Sequence, residues 1–388
     1  MTERRTPEGF WAVWTAVAMD LLGFGIIIPL LPLYADSFGA TATTIGILFA
    51  SYSLAQFVLS PVWGRISDRV GRKPVLVVTI VGSAIGSLTL GLAGSLTVLF
   101  IGRIIDGASG ASVAVARAAV ADVATPEQRP RLMGLLGAAF GFGFVIGPVV
   151  GSLAALGGPE IPFFLAAAIS AANAIATWIR VPESRVVTAA GASSGSIRDL
   201  SGTVARLVVL TFVGITAFGA FEATFSLLAE VRLGLGEAEI GFVFAGLGVL
   251  LVATQGGLIG PATRLVGERQ LIRVGLVLNV VGFLMLSTAE SWALLIPGLA
   301  ILALGQGFIT PALASAIAGS AEPGRSGAAL GVQQSAGGLA RVVGPAMGGA
   351  LFAIELAVPY VVAAGLTLAA LPIVPRRGSV EEMAAPER

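Results

Sequence analysis

The chain has 388 residues, of which 56% are hydrophobic and 12% charged, with a net charge of +1, no cysteine and no histidine. A soluble domain carries about 25% charged residues, so a water-facing globule is excluded, and the mean hydropathy of +0.93 points to an exterior that faces lipid. The neutral balance argues against a nucleic-acid partner, the missing Cys and His exclude disulfides and the usual zinc sites, and any proton chemistry near neutral pH falls to carboxylates.

A helix needs about 20 apolar residues to cross a bilayer. Twelve such windows follow in order: Phe10–Tyr34, Thr44–Trp63, Pro74–Gly94, Leu96–Val120, Leu132–Leu156, Ile161–Arg180, Leu207–Glu230, Glu239–Pro261, Leu271–Thr288, Trp292–Ala318, Ala328–Ile354 and Leu356–Val374. The first is too long for the apolar core of a signal peptide and shows no small-residue cleavage site, so it is expected to remain as a span. The runs are continuous, without period-2 alternation. Lipid also demands a backbone satisfied within each segment. The expectation is an all-α membrane protein of twelve transmembrane helices.

Basic residues orient the spans. With Met1 inside, 20 of the 23 Lys and Arg residues fall on the inner side; Arg232 lies outside, and Arg103 and Arg341 lie within spans. By the positive-inside rule both termini are then cytoplasmic.

The Gly/Ser-rich stretch "RVPESRVVTAAGASSGSIRDLSG" divides the chain, and its halves repeat. "GPVVG" at Gly147–Gly151 recurs as "GPAMG" at Gly344–Gly348, 197 residues on, and Gly64 and Gly71 recur as Gly260 and Gly267 at 196. The expected organisation is a six-helix half over 1–180, a cytoplasmic linker over 181–204, a second six-helix half over 205–376 and a tail over 377–388. A parallel repeat of six-span halves is a transporter arrangement, with substrate near mid-membrane between the halves.

Between spans 2 and 3 stands "GRISDRVGRKP", Gly64–Pro74. Gly64 is expected to permit close helix approach, Gly71 a tight reversal, and Pro74 the first turn of a new helix. Arg65, Arg69, Arg72 and Lys73 hold the loop inside. Asp68 is an acid among bases, suited to a helix N-terminus or a neighbouring Arg.

This loop resembles, at every position, the loop signature of the major facilitator superfamily. "MDLLGFGIIIPLLPLY", "IGRIIDGASGA", "GFGFVIGPVVGSL" and "GPATRLVGERQ" also resemble its drug:proton antiporter branch, the tetracycline/proton antiporters most of all. The resemblance implies two pseudo-symmetric six-helix halves in a bacterial plasma membrane. It implies alternating access driven by proton entry, with export of hydrophobic drugs. Asp68 and Arg72 would help lock the halves together with Asp122 as partner. Gly143, Gly147, Pro148 and Gly151 would form the antiporter signature. Small-residue helix packing also accounts for the Gly-Pro pair.

Arg103 and Asp106 lie three residues apart on one helical face, where a charge costs about 2.5–3.5 kcal/mol on insertion scales. They can neutralise each other or reach Asp20. Arg103 is the fixed charge; the carboxylates can switch. The resemblance assigns Arg103 as the coupling Arg and Asp20 as its matched acid, while Asp106 has no counterpart there. Glu222, among Phe218, Phe221 and Phe225, suits a second proton site or a cationic drug. Arg341 is read either as balancing it across the cavity or as facing an inner crevice.

The expected cavity set is Phe24, Tyr52, Gln56, Phe140, Phe144, Phe218, Phe225, Gln255, Gln306 and Arg341. Three positions depart from the tetracycline carriers: Leu251 replaces a His, Asn279 an acid of span 9, and Gly86 an acid of span 3. The expected activity is therefore proton-coupled export of lipophilic or cationic drugs rather than of tetracycline itself. The alternative is a carrier of a sugar, peptide or lipid-like metabolite. No nucleotide-binding signature is present. No cofactor or metal is expected, the partners being lipid, protons and a small substrate, and nothing demands an oligomer.

Overall fold

A computed structural model describes residues 7, 9–125, 128–183, 201–321 and 325–375. Most of the linker and the whole tail expected from the sequence lie outside these residues. The described chain is all helical: α1 Phe10–Ile27, α2 Ala42–Val70, α3 Arg72–Gly91, α4 Leu96–Val123, α5 Arg129–Ala155 and α6 Ile161–Arg180 are followed by α7 Gly202–Leu233, α8 Glu237–Val266, α9 Glu268–Ser287, α10 Trp292–Ser320, α11 Ser326–Phe352 and α12 Val358–Ala370. Ten of these, all but α11 and α12, are long and apolar enough to cross a membrane.

Three spans depart from single regular rods. The first ends at Ile27 and resumes as a short helix, Leu31–Asp36, because Pro29 and Pro32 lack amide hydrogens. The fourth breaks between Ser109 and Ser112. The eighth contains a π-helical turn over Thr254–Leu258, centred on "QGG", and such turns often mark functional positions.

The residues up to 183, with Phe225–Gly248, form one compact unit; residues 201–224, with Val249 onward, form another. The division falls inside α7 and α8. In the first unit α3 packs on α4 and α6, and α1 on α5 and α6. In the second, α9 packs on α10 and α12. The internal repeat thus extends from glycine spacing to packing. At the same offset of 196, Gly71 and Gly267 both take positive φ, 111° and 79°. Gly86 rests on α4 at Asp106, and Gly282 on α10 at Leu302.

Burial follows the same division. The first unit holds cores around Val17, Leu21 and Leu132 and around Leu76, Ile80 and Val115. The second holds one around Leu210, Leu276 and Leu313. Among apolar lipid tails, burial alone gives little drive to associate, so close packing of small residues decides which helices meet.

Candidate functional site

The break in α4 organises the first unit. Gly110 and Ala111 leave helical geometry (φ, ψ of −71°, 37° and −101°, 0°), which frees carbonyls in mid-span. Two α2 side chains satisfy them: Trp63 Nε1–H donates to the Ala108 carbonyl at 2.7 Å, and Gln56 Nε2–H to that of Gly110 at 2.6 Å. Without such partners each buried carbonyl would cost about 1–3 kcal/mol. The helix restarts at Ser112, whose hydroxyl donates to the Asp20 carboxylate on α1. Asp20 therefore sits at the positive end of a 12-residue helical segment, a favourable place for its charge.

Just before the break, Arg103 Nη1–H donates to Asp106 Oδ2 at 3.3 Å, with side chains only 1% and 8% exposed. The guanidinium also lies over the Tyr52 ring at 4.2 Å and near that of Phe49 at 5.8 Å. Its Nε has no hydrogen-bond acceptor. The Ser83 hydroxyl on α3 is within reach of both the Asp20 and the Asp106 carboxylates, and Asp106 senses the charge of Asp20. Three helices thus bring Asp20, Asp106 and Arg103 into one cluster, with Ser83 and Ser112 as hydroxyl partners. Neither serine stands out in the sequence, because an isolated Ser in an apolar span is indistinguishable from one bonded to its own helix.

The absent acid at position 86 has a steric reason. A Cβ on Gly86 would lie 2.7–2.9 Å from Asp106 Cβ, N and Cα. The volume beside Gly86 is filled by the backbone and Cβ of residue 106.

The cavity residues divide. Phe24 packs on Tyr52 and Phe144, with centroids 5.4 and 6.4 Å apart, forming an aromatic wall beside Arg103. Phe140 joins the core around Leu136. Gln56 is engaged with Gly110. Phe225 is fully buried against Phe244 in the first unit, while Phe218 packs on Phe221 in the second. Gln255 is exposed in the π turn. Gln306 is buried and accepts from Asn279 at 3.3 Å, so the second unit holds a neutral amide pair. Glu222 is half-buried and within the field of Arg341, which is exposed.

At the loop, Arg72 joins three groups: Nη1 reaches Asp68 Oδ1 at 2.5 Å and Ser67 Oγ at 2.6 Å, and Nε reaches Asp122 Oδ2 at 2.9 Å. Its backbone N–H donates to Glu183 Oε1 at 2.8 Å, capping α3. All of these residues belong to the first unit, so the network ties α2, α3, α4 and the end of α6 to one another. Gly71 makes the reversal with φ 111°. Pro74 lies in the first turn of α3. Lys73 sits over Trp178 at 5.3 Å, and Arg69 is exposed. The close approach expected at Gly64 is absent: a Cβ there would meet nothing within 4 Å, because α2 carries that face away from its neighbours.

Gly143, Gly147 and Gly151 recur every four residues and form one face of α5. A Cβ on Gly147 would lie 2.7 Å from Gly25, and one on Gly151 3.0 Å from the Ile26 carbonyl; one on Gly143 would strike Leu21. Pro148 is inside the helix, and its carbonyl accepts from Ser152 at 2.7 Å. Gly344 and Gly348 of α11 press on Thr216 and Ala220 of α7 in the same way.

The family profile of the Major Facilitator Superfamily matches residues 13–260 and 207–386. The chain belongs to the Major Facilitator Superfamily. This major facilitator is 33% identical over 342 residues to the class D tetracycline resistance protein of Salmonella ordonez, covering 84% of this chain and 85% of that one. It is 29% identical to multidrug resistance protein 1 of Bacillus subtilis (strain 168), over 89% and 90% of the two chains. Among solved structures it is similar to the human organic anion transporter MFSD10 (TETRAN), with TM-score 0.73, 24% identity and coverage of 97% and 100%. The nucleoside transporter NupG is also similar, with TM-score 0.73, 12% identity and coverage of 95% and 99%. The protein is a multi-pass membrane transporter, not an enzyme.

Proposed function

We propose that this transporter is a proton-coupled antiporter that exports hydrophobic or cationic compounds across a bacterial plasma membrane, with both termini cytoplasmic. The observation that carries the reading is the buried Asp20–Ser83–Asp106–Arg103 cluster in an otherwise apolar half. Ionisable groups are kept at such depth where they move protons or ions. Arg103 keeps its charge and pairs with Asp106, whose carboxylate in turn feels that of Asp20. A proton taken up by Asp20 removes the charge at the restart of α4; its loss restores that charge. The cluster thereby biases a two-state element, the broken helix, which alternating access requires. Each elementary charge moved through 100 mV supplies about 2.3 kcal/mol.

The resemblance to tetracycline and multidrug resistance proteins supports the drug class. The substitutions at Leu251, Asn279 and Gly86 favour a substrate other than tetracycline. In this reading Asp68, Arg69, Arg72, Lys73 and Asp122 act at the gate, Glu222 is a further proton-coupling acid, the glycines of α5 let its helix slide on α1, and one chain is the working unit. The test uses proteoliposomes with an imposed pH gradient. Ethidium moves against the proton flow with wild type, and Asp20→Asn abolishes the pH dependence. Ethidium flux indifferent to the gradient in the wild type would refute antiport.

A further inference from the structure

Glycine at 82 and 86 lets α3 lie backbone to backbone on α4: a Cβ on Gly82 would strike the Ser109 side chain, and one on Gly86 the Asp106 backbone. Small residues permit such an approach. Elsewhere on its surface α3 shares a core with Ala16 of α1, through Leu76 and Ile80. Ser83 and Asp20 each stand about one turn further along those helices. The short Ser83 side chain, buried between them, thus comes within hydrogen-bonding reach of the Asp20 carboxylate on α1 and the Asp106 carboxylate on α4. The neighbouring hydroxyls of α3 are spent on their own helix: Thr79 donates to the Leu76 carbonyl at 2.9 Å and Thr89 to that of Ile85 at 2.8 Å. Ser83 makes no such bond among the described residues, so its hydroxyl is available to the acids.

A hydroxyl has one proton to donate and two lone pairs to accept with. Between two ionised carboxylates it serves only one, and the other faces bare lone pairs. Between an ionised acid and a protonated one it serves both, accepting from the carboxylic O–H and donating to the carboxylate. The charge count agrees. Arg103 with one carboxylate is neutral, whereas Arg103 with two leaves a net negative charge within the span, where charge is costly. Tyr52 of α2 is the other ionisable group against Arg103. Arg117 lies beyond the break in α4, and α3, α5 and α6 carry their ionisable residues only at their ends. Ser112 meets only Asp20 of the two acids, so it offers no path between them.

We propose that Ser83 is the bridge that carries a single proton between Asp106 and Asp20. The Asp106 O–H proton passes to Ser83 Oγ as the Ser83 proton passes to Asp20. The hydroxyl is regenerated, Asp106 is left ionised against Arg103, and Asp20 becomes neutral; the reverse hop returns the proton. This rests on the antiport reading above and adds to it the path by which the two acids exchange their proton.

The test uses the full-length carrier in proteoliposomes and compares two fluxes: ethidium transport driven by an imposed pH gradient, which needs the proton to move, and ethidium exchange at equal pH on both sides, which does not. Ser83→Ala should lower driven flux at least about tenfold and exchange far less. Ser83→Thr, which restores a hydroxyl, should recover most of the driven flux. Thr79→Val, which removes a hydroxyl spent on its own helix, should keep it. Melting curves check the fold of each variant. Driven flux retained in Ser83→Ala, an equal loss in a folded Ser83→Thr, an equal loss in Thr79→Val, or exchange falling as far as driven flux overturns the proposal. The two readings fail differently. Wild-type flux indifferent to the gradient overturns antiport itself, whereas wild-type and Ser83→Ala fluxes driven alike overturn only the bridge.

Discussion

Gly86 on α3 lies directly against the backbone of Asp106 on α4, so closely that any side chain at 86 would have to displace the acid. Gly86→Ala should destabilise the carrier by about 1–3 kcal/mol through overpacking and should perturb Asp106 first. Gly86→Asp should be worse, with two carboxylates in one volume. Combined with Asp106→Ala, which keeps the Cβ, N and Cα that crowd position 86, the Gly86→Asp chain should stay as unstable as Gly86→Asp alone. Thermal unfolding in nanodiscs reads the effect, and an unchanged melting temperature for Gly86→Ala would show that α3 and α4 do not meet so closely at this position.

Among the described residues Arg103 is the most deeply buried cation, and Asp106 is its ion-pair partner. Arg103→Leu leaves that carboxylate beside Asp20 without a counter-charge and should cost about 3–5 kcal/mol. Removing both, as Arg103→Leu with Asp106→Leu, should restore most of the melting temperature while flux stays abolished. A double variant no more stable than the single one would mean that Arg103 is held chiefly by its stacking on Tyr52.

Gln56 was expected in the cavity, but its amide is committed to the Gly110 carbonyl. Gln56→Leu should cost about 1–3 kcal/mol and loosen α4 around residues 108–112, seen as faster amide hydrogen exchange there. The pH midpoint of transport should move as well, because Ser112 meets Asp20 across the same break. A change in substrate KM with an unaltered pH profile would instead favour the original cavity role.

In the Arg72 network, Asp122 is 15% exposed and Asp68 61%. Exposed pairs contribute about 0–1 kcal/mol, so Asp122→Asn should lower stability more than Asp68→Asn. Arg72→Ala, which removes both partners and the bond to Ser67, should exceed either. The order of melting temperatures checks this, and the reverse order would place the main anchor of Arg72 on Asp68.

Composition and run length by themselves determined that the chain dissolves in lipid as helices, because a bilayer tolerates no unsatisfied backbone. The glycine spacing determined the repeat, because only glycine lets helices cross at backbone contact, and the contacts of Gly147, Gly151, Gly344 and Gly348 follow that spacing. Arg103, Asp106 and Asp20 also stood out in one dimension, since an ion in an apolar run is conspicuous. Only the tertiary structure decided which neutral groups complete them. Ser83 of α3 and Ser112, past the break in α4, serve the carboxylates, while Gln56 and Trp63 of α2 serve carbonyls freed by that break, which no proline announces. The same holds for Glu183 at the start of α3. Such pairings depend on which faces of distant helices meet and at what level, and that follows from packing summed over the whole bundle, which no local residue pattern encodes.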